Sequence, residues 1–248
     1  CTDAYGNANT ASNTFTMTID RTGPTVTVSP TSGTTAKTRN VTITVADTGG
    51  SGLNTSNSYQ YYLSTSASAL SGGTWTTYTS GKAFPIGTGI TGTRYLFVKR
   101  VTDKLGNAST ASGSTNTTVS NVVYHRFGKY VFDNTAPTCK VTADKTSPTN
   151  ASSVTYTFTF SENVTGFTVD DITVTGGTKS TTLGGSGKTY TLVVTNSGTT
   201  TQKVSVAAGK CTDAAGNGNE ASNTFTMTID RTLPTETLSP NRGTYTMP

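Results

Sequence analysis

The 248-residue sequence predicts an all-β protein of tandem β-sandwich modules stacked end to end. Three observations lead there: a very high Thr and Ser content, short apolar alternations of period two between Gly- and Asn-rich turns, and a long self-repeat at fixed offset. Thr and Ser supply 84 residues, 59 of them Thr. The β-branch of Thr stiffens χ1 and suits a pleated, half-exposed strand. With only 12% charged residues, the outward faces are polar through hydroxyls rather than charge. No apolar run approaches the roughly 20 residues that cross a bilayer, and no basic segment followed by an apolar one marks a signal peptide. One His and three Cys nearly exclude a His-based triad or a His-rich metal centre.

Residues 1–30 recur as residues 211–240, an offset of 210, with 24 of 30 positions identical. A match of that length is the mark of a tandem array. Two shorter motifs divide the period. Asp-x-Thr-x-Pro-Thr starts at Asp20, Asp133 and Asp230; Thr-Asp-x-x-Gly-Asn starts at Thr2, Thr102 and Thr212 and precedes it each time. The period therefore holds two modules of 113 and 97 residues. Residues 1–22 read as the C-terminal strand of a preceding module, 23–133 as a larger module, 134–231 as a second module, and 232–248 as the first strand of the next. Signal, anchor and any terminal binding domain are expected outside this window.

The 97-residue module alternates clearly. Val154, Tyr156, Phe158 and Phe160 share one strand face; Ile172 with Val174, Tyr190 with Leu192 and Val194, Val204 with Val206, and Phe225 with Met227 and Ile229 mark further strands. A first strand at Cys139–Val141 and a short one near Val164 complete about seven, the number of a sandwich. In Thr-Asp-x-x-Gly-Asn, Asp bonds the backbone two residues on and Gly takes the positive φ of a hairpin turn before the last strand. In the junction motif, Pro fixes φ and lacks a donor, which ends the preceding strand and stiffens a short linker.

The stretches Asp133-Asn-Thr-Ala-Pro-Thr, Phe158-Thr-Phe-Ser-Glu-Asn-Val-Thr-Gly-Phe167, Asp171-Ile-Thr-Val and Cys211-Thr-Asp-Ala-Ala-Gly-Asn closely resemble the bacterial Ig-like repeats of large surface proteins. The larger module, with Asp47-Thr-Gly-Gly-Ser-Gly-Leu53 and Val98-Lys-Arg-Val-Thr-Asp-Lys-Leu-Gly-Asn107, resembles a related Ig-like type. The resemblance implies immunoglobulin-like sandwiches in an extracellular, adhesin-like stalk or fibre without catalysis. The alternative is a glycan- or cell-wall-binding accessory module, for which Trp75, Tyr78, Tyr124 and Tyr130 would form an exposed aromatic platform. Expected partners are neighbouring modules of the array, other copies of the chain, or a surface polymer; no nucleic-acid motif is present.

Aligned on the junction motif, Cys139 falls on Val26; aligned on the hairpin motif, Cys211 falls on Val101. Two Cys in one module at positions that are both Val in the other predict that the pair touches, and hence a Cys139–Cys211 disulfide. The rival reading is two buried thiols. Closing a 72-residue loop is worth about 4 kcal/mol in the chain-entropy model. Such a bond implies an oxidising compartment. Cys1 takes the position of Cys211, so its partner is expected in another module.

The larger module uses about 13 extra residues between its hairpin motif and the next junction, a segment spanning 108–132. Its aromatic and basic part, Tyr124, His125, Arg126, Phe127, Lys129 and Tyr130, is either an additional hairpin or strand, or a contact patch. A lone His without a nucleophile motif carries no catalysis. Residues 82–145 hold nine Lys or Arg against three Asp, a basic stretch that is a solvated surface or a face for acidic polymers. No cofactor is expected apart from calcium, whose oxygen ligands would come from the junction carboxylates Asp103 with Asp133 and Asp213 with Asp230. Arg21 and Arg231 beside the junction Asp residues, and the lack of an Asp-x-Asp-x-Asp loop, favour plain turn bonding instead.

Overall fold

Val41, Ile43 and Val45 are buried while the Thr residues between them stay half-exposed, as expected of a Thr-rich strand with one face on a core. The computed structural model describes residues 1–8, 10, 17, 19–48 and 50–236. They divide into two compact units, Cys1–Asp133 and Asn134–Pro248. Among the described residues the only helical turn is a 3-10 turn at Val169–Asp171; all other regular elements are strands. The expected strand at 232–248 lies mostly outside the described residues.

The first unit contains β1 (Thr25–Ser29), β2 (Gly33–Ala36), β3 (Arg39–Ala46), β4 (Gln60–Ser64), β5 (Trp75–Thr77), β6 (Ala83–Ile86), β7 (Gly92–Lys99), β8 (Thr110–Ala111), β9 (Thr115–Val119) and β10 (Val122–Phe132). One sheet has the order β6-β3-β1-β8; the other runs β2-β10-β7-β4-β5, with β9 also on β10. Val26, Ile43, Leu96, Val98, Phe127, Tyr130 and Phe132 belong to the core of this unit. A second, smaller cluster of Tyr62, Phe97 and Tyr124 is packed by Leu70, Trp75, Tyr95 and Val119. Leu96 and Phe97, adjacent in β7, belong to different clusters, so the β10-containing sheet is covered on both faces.

The 13 extra residues supply a hairpin. Ser120 and Asn121 take φ of 49° and 62° in the two-residue turn between β9 and β10. Positive φ at both central positions is the type I′ geometry that matches strand twist. Among the described residues β10 is the longest strand, with 11 residues, and it is central: β9 and β7 bond its first half, β7 and β2 its second. Between Phe127 and Tyr130 the register shifts at a bulge that contains Gly128 at φ 93°. That one-residue irregularity lets Phe127 and Tyr130, of opposite parity, enter the same core.

The second unit contains β11 (Cys139–Ala143), β12 (Ser153–Phe160), β13 (Ile172–Thr175), β14 (Thr178–Lys179), β15 (Gly184–Ser186), β16 (Thr189–Thr195), β17 (Thr200–Val206) and β18 (Phe225–Ile229). Its sheets are β11-β12-β16-β14, with β15 also on β16, and β13-β17-β18. Val154, Tyr156, Phe158 and Phe160 alternate into one core with Leu192, Val204, Met227 and Ile229. The strand expected near Val164 is absent: Val164 is buried in a loop whose Thr165 makes a single bridge to Thr212. β14 and β15 stand beside β16 in a Gly-rich stretch without apolar alternation.

Candidate functional site

The hairpin motif closes on itself in all three copies. Asp103 Oδ1 accepts from Leu105 N at 2.9 Å and Asn107 N at 2.8 Å, while Oδ2 accepts from Asn107 Nδ2 at 2.6 Å. Asp213 holds Asn217 N at 2.8 Å and Asn217 Nδ2 at 2.7 Å; Asp3 holds Asn7 N and Nδ2, both at 2.9 Å. Gly6, Gly106 and Gly216 have φ of 81°, 88° and 87°, as the turn requires. Each Asp is thus first a turn-forming group.

In the first unit this turn meets the junction motif. Asp20, Asp47 and Asp103 bring carboxylate oxygens within 4.8 Å of one another, with Asp20 and Asp103 buried. Asn107 Nδ2 donates to Asp20 O at 3.0 Å, and Asp20 Oδ1 accepts from Thr22 N at 3.0 Å and Thr22 Oγ1 at 2.8 Å. Burial pushes Asp103 up, but the Asn107 side chain and N–H outweigh it and hold the carboxyl below its ordinary range. Three clustered oxygen donors of this kind suit a hard divalent cation such as calcium. Much of their lone-pair capacity is already spent on the turns: Oδ1 of both Asp20 and Asp103 accepts two bonds. The grouping corrects the sequence pairing, because Asp103 gathers with the junction carboxylate before it, Asp20, rather than with Asp133 after it. Asp230 is exposed and accepts from Thr232 N and Oγ1 in a local turn.

The segment expected as a contact patch is corrected on burial. Tyr124, His125, Phe127 and Tyr130 are buried in their own unit, because β10 is a central strand with both faces covered. Arg126 is half-buried over the Tyr95 ring at 5.6 Å, which leaves Lys129 as the exposed member. The aromatic platform is corrected for the same reason: Tyr78, Tyr124 and Tyr130 are buried, and only Trp75 keeps partial exposure, under Lys99 Nζ at 5.0 Å from its ring. Several cations of the basic stretch have internal partners: Lys99 donates to Gln60 Oε1 at 2.6 Å and Arg100 Nη2 to Ser109 O at 2.8 Å.

His125 sits in a polar chain that sequence reading missed. Its Nε2 lies 2.9 Å from Ser109 Oγ, and its Nδ1 lies 3.1 Å from Asn116 Oδ1, its cross-strand neighbour. With the amide oxygen as acceptor, Nδ1 carries the proton and Nε2 accepts from the Ser109 hydroxyl. Ser109 Oγ in turn accepts from Val101 N at 3.1 Å. The order Ser–His–Asn is that of hydrolytic triads, but Ser109 and His125 are both 0% exposed. A substrate cannot reach the hydroxyl, so the chain's role is to hold β9 and the Val101–Ser109 loop onto β10. Burial, reinforced by the nearby Arg100 charge, lowers the imidazole to about 4.

Cys139 and Cys211 enter one core, as the register alignment required. Both are free thiols here, so the expected disulfide is not formed in this structure. Burial pushes each up to about 11, with Cys211 adding to the rise at Cys139 and Asp171 to that at Cys211. Protonated, shielded thiols are poor nucleophiles and persist reduced within a core.

A crystal structure of murine CEACAM1b is similar over 83% of this chain and 99% of that chain, at 13% identity and a TM-score of 0.27, which is too low to assign a fold. No curated protein matches the chain at a significant level. The family model described as bacterial Ig-like domain matches residues 133–229, which span β11 to β18. The match points to a structural or surface module. Residues 133–229 are therefore a bacterial Ig-like domain.

Proposed function

We propose that the chain is a non-catalytic, tension-bearing segment of a secreted or cell-surface bacterial protein, a stalk or fibre of the adhesin type built from sandwich modules in series. The observation that carries this reading is the recurrence of residues 1–30 as residues 211–240. A repeat that preserves hairpin, last strand and junction together preserves what serial modules share, and a chain with one enclosed active site has no need of it. The fold supports the role, since each unit closes its own core between two sheets. Neighbouring modules are its first partners, and a surface polymer or other copies its second.

Stretching a single chain between its ends tests this. Two discrete ruptures are expected, releasing about 400 Å for residues 23–133 and about 350 Å for residues 134–231 at roughly 3.6 Å per residue. Continuous lengthening without ruptures would refute the tension-bearing role.

A further inference from the structure

The strands of the second sheet of the first unit carry cations and no acid. β2, β4, β5, β7, β9 and β10 contain Arg94, Lys99, Arg126 and Lys129, and not one Asp or Glu. Register sorts these residues by face. Lys99 stands opposite Tyr124, and Phe97 opposite both Arg126 and Tyr62; Tyr62 in turn stands opposite Trp75. Cross-strand partners share a face, so Lys99, Arg126, Trp75 and, by alternation in β7, Tyr95 lie together on the side away from the main core. Their floor is the cluster of Tyr62, Phe97 and Tyr124.

The cations on this face are held in place but not neutralised. Lys99 Nζ lies 5.0 Å over the Trp75 ring and donates to Gln60 Oε1; Arg126 lies 5.6 Å over the Tyr95 ring and donates Nε to Thr117 Oγ1 at 3.3 Å. A ring quadrupole fixes a cation without cancelling its charge, and an ammonium or guanidinium so placed has further donors to offer. The face continues toward β2. There Ser32, Gly33, Thr34, Arg39, Lys129 and Val131 line an open hollow of about 600 Å³. Val131 pairs with Thr93, which alternates with Tyr95 and Phe97, so the hollow belongs to the same face. Arg39 crosses Gly33, where an added Cβ would stand 2.0 Å from its Nε, and donates Nη2 to Thr34 O at 2.9 Å. Among the described residues none of Lys99, Arg126, Lys129 and Arg39 is ion-paired. The acids of the unit are placed elsewhere: Asp20, Asp47 and Asp103 gather in their own cluster, Asp3 closes its hairpin, and Asp133 follows β10 without lining the hollow.

We propose that this face binds an acidic polysaccharide, its carboxylates taken by Lys99, Arg126, Lys129 and Arg39 and its hydroxyls by the exposed Ser32 and Thr34. Unneutralised charge gives the sign of the partner. The rings give its kind. Single-stranded nucleic acid is held chiefly by stacking on open aromatic faces, and neutral sugars use the same faces, but Lys99 and Arg126 already lie over Trp75 and Tyr95. What remains at the surface is charge and hydroxyl, the complement of a polymer of sugar acids. The surface-polymer partner of the proposed reading thereby gains a place and a chemistry. The tension-bearing role is independent of it, since stretching and polymer binding are measured separately.

Titration of the full chain with polygalacturonate, dextran and single-stranded DNA tests the proposal, read by calorimetry and by the fluorescence of Trp75 beneath Lys99. Polygalacturonate should bind, more weakly as salt rises, and dextran should not. Arg126→Gln with Lys129→Gln should lower the affinity at least about tenfold. Lys203→Gln with Lys210→Gln removes the same charge from exposed positions of the second unit and should lower it less than about twofold. Lys129 is exposed, so Lys129→Gln alone, with an expected loss of about threefold, keeps the test decisive if the Arg126 change disturbs folding. Equal losses in the two double variants would reduce the effect to net charge and overturn the proposal. Dextran or DNA bound as tightly as polygalacturonate, or no binding of polygalacturonate, would overturn it as well.

Discussion

Acid should loosen the first unit through a single side chain. His125 is the only His of the sequence, is fully buried, and titrates near 4 rather than 6.5. Adding a proton to Nε2 sets two donors face to face, because the Ser109 hydroxyl already points there and its oxygen already accepts from Val101 N. Arg100, whose guanidinium bonds Ser109 O, adds like-charge repulsion. The unfolded chain takes up the proton near pH 6.5 and the folded chain only near pH 4. Stability is therefore complete above about pH 6.5 and falls as pH drops toward 4. A displacement of 2.5 pH units corresponds to roughly 3 kcal/mol, a large share of a domain's stability. Trp75, the only Trp, packs 5.3 Å from Tyr124 and reports on this unit by fluorescence. Urea unfolding followed at Trp75 from pH 7 to pH 4 should show the loss, and His125→Gln should be less stable at pH 7 but nearly flat across that window. Asp103, lowered below 3.8, does not compete in the window, and the first unit contains no Glu. Equal pH slopes for parent and variant would refute the reasoning.

Gly87 has φ +88°, and an added Cβ would stand 2.1 Å from the Phe132 ring, so Gly87→Ala should cost at least about 2 kcal/mol at Trp75. Gln202 is fully buried and accepts from Tyr156 Oη at 2.7 Å; Gln202→Leu strands that hydroxyl and should cost the second unit about 2 kcal/mol by calorimetry. Protein unfolded and alkylated without reductant should show Cys139 and Cys211 both labelled, as the two buried thiols of the structure; an unlabelled pair would overturn this and establish a bridge between them. If Asp20, Asp47 and Asp103 hold calcium, EDTA should lower the Trp75 melting temperature and Asp47→Asn should erase the difference; equal melts with and without calcium assign the carboxylates to turn bonding alone.

The second unit was legible because its strands bury one face each. Val154, Tyr156, Phe158 and Phe160 announce β12 by alternation alone, and Met227 with Ile229 does the same for β18. β14 and β15 were not legible, since a strand pinned by backbone bonds at Gly and Thr shows no apolar period. The run Val122–Phe132 misled for the opposite reason. Aromatic and basic residues in sequence resemble a surface patch, but a strand covered on both faces also loses its alternation, and the bulge at Gly128 scrambles what remains. The cysteines were placed together by register, a signal that carries proximity but not oxidation state. The Ser109–His125–Asn116 chain left no trace, because its members are separated by turns whose closure local sequence does not specify.

The position of β10 also has a consequence in time. Gly33 in β2 pairs with Tyr130, and β7 waits for the same strand, so the second sheet of the first unit stays open until the end of β10 has been made. At roughly 5–20 residues per second, the chain from Ala36 to Phe132 takes about 5–20 s to synthesise. For that interval β2 is an unfilled edge on a nascent chain. Its sequence, Gly-Thr-Thr-Ala, has no bulky apolar side chain, which makes it a poor template for unwanted pairing while it waits. The aromatic weight of the sheet is instead carried largely by β7 and β10, and β10 emerges last, when its neighbours are already present to receive it.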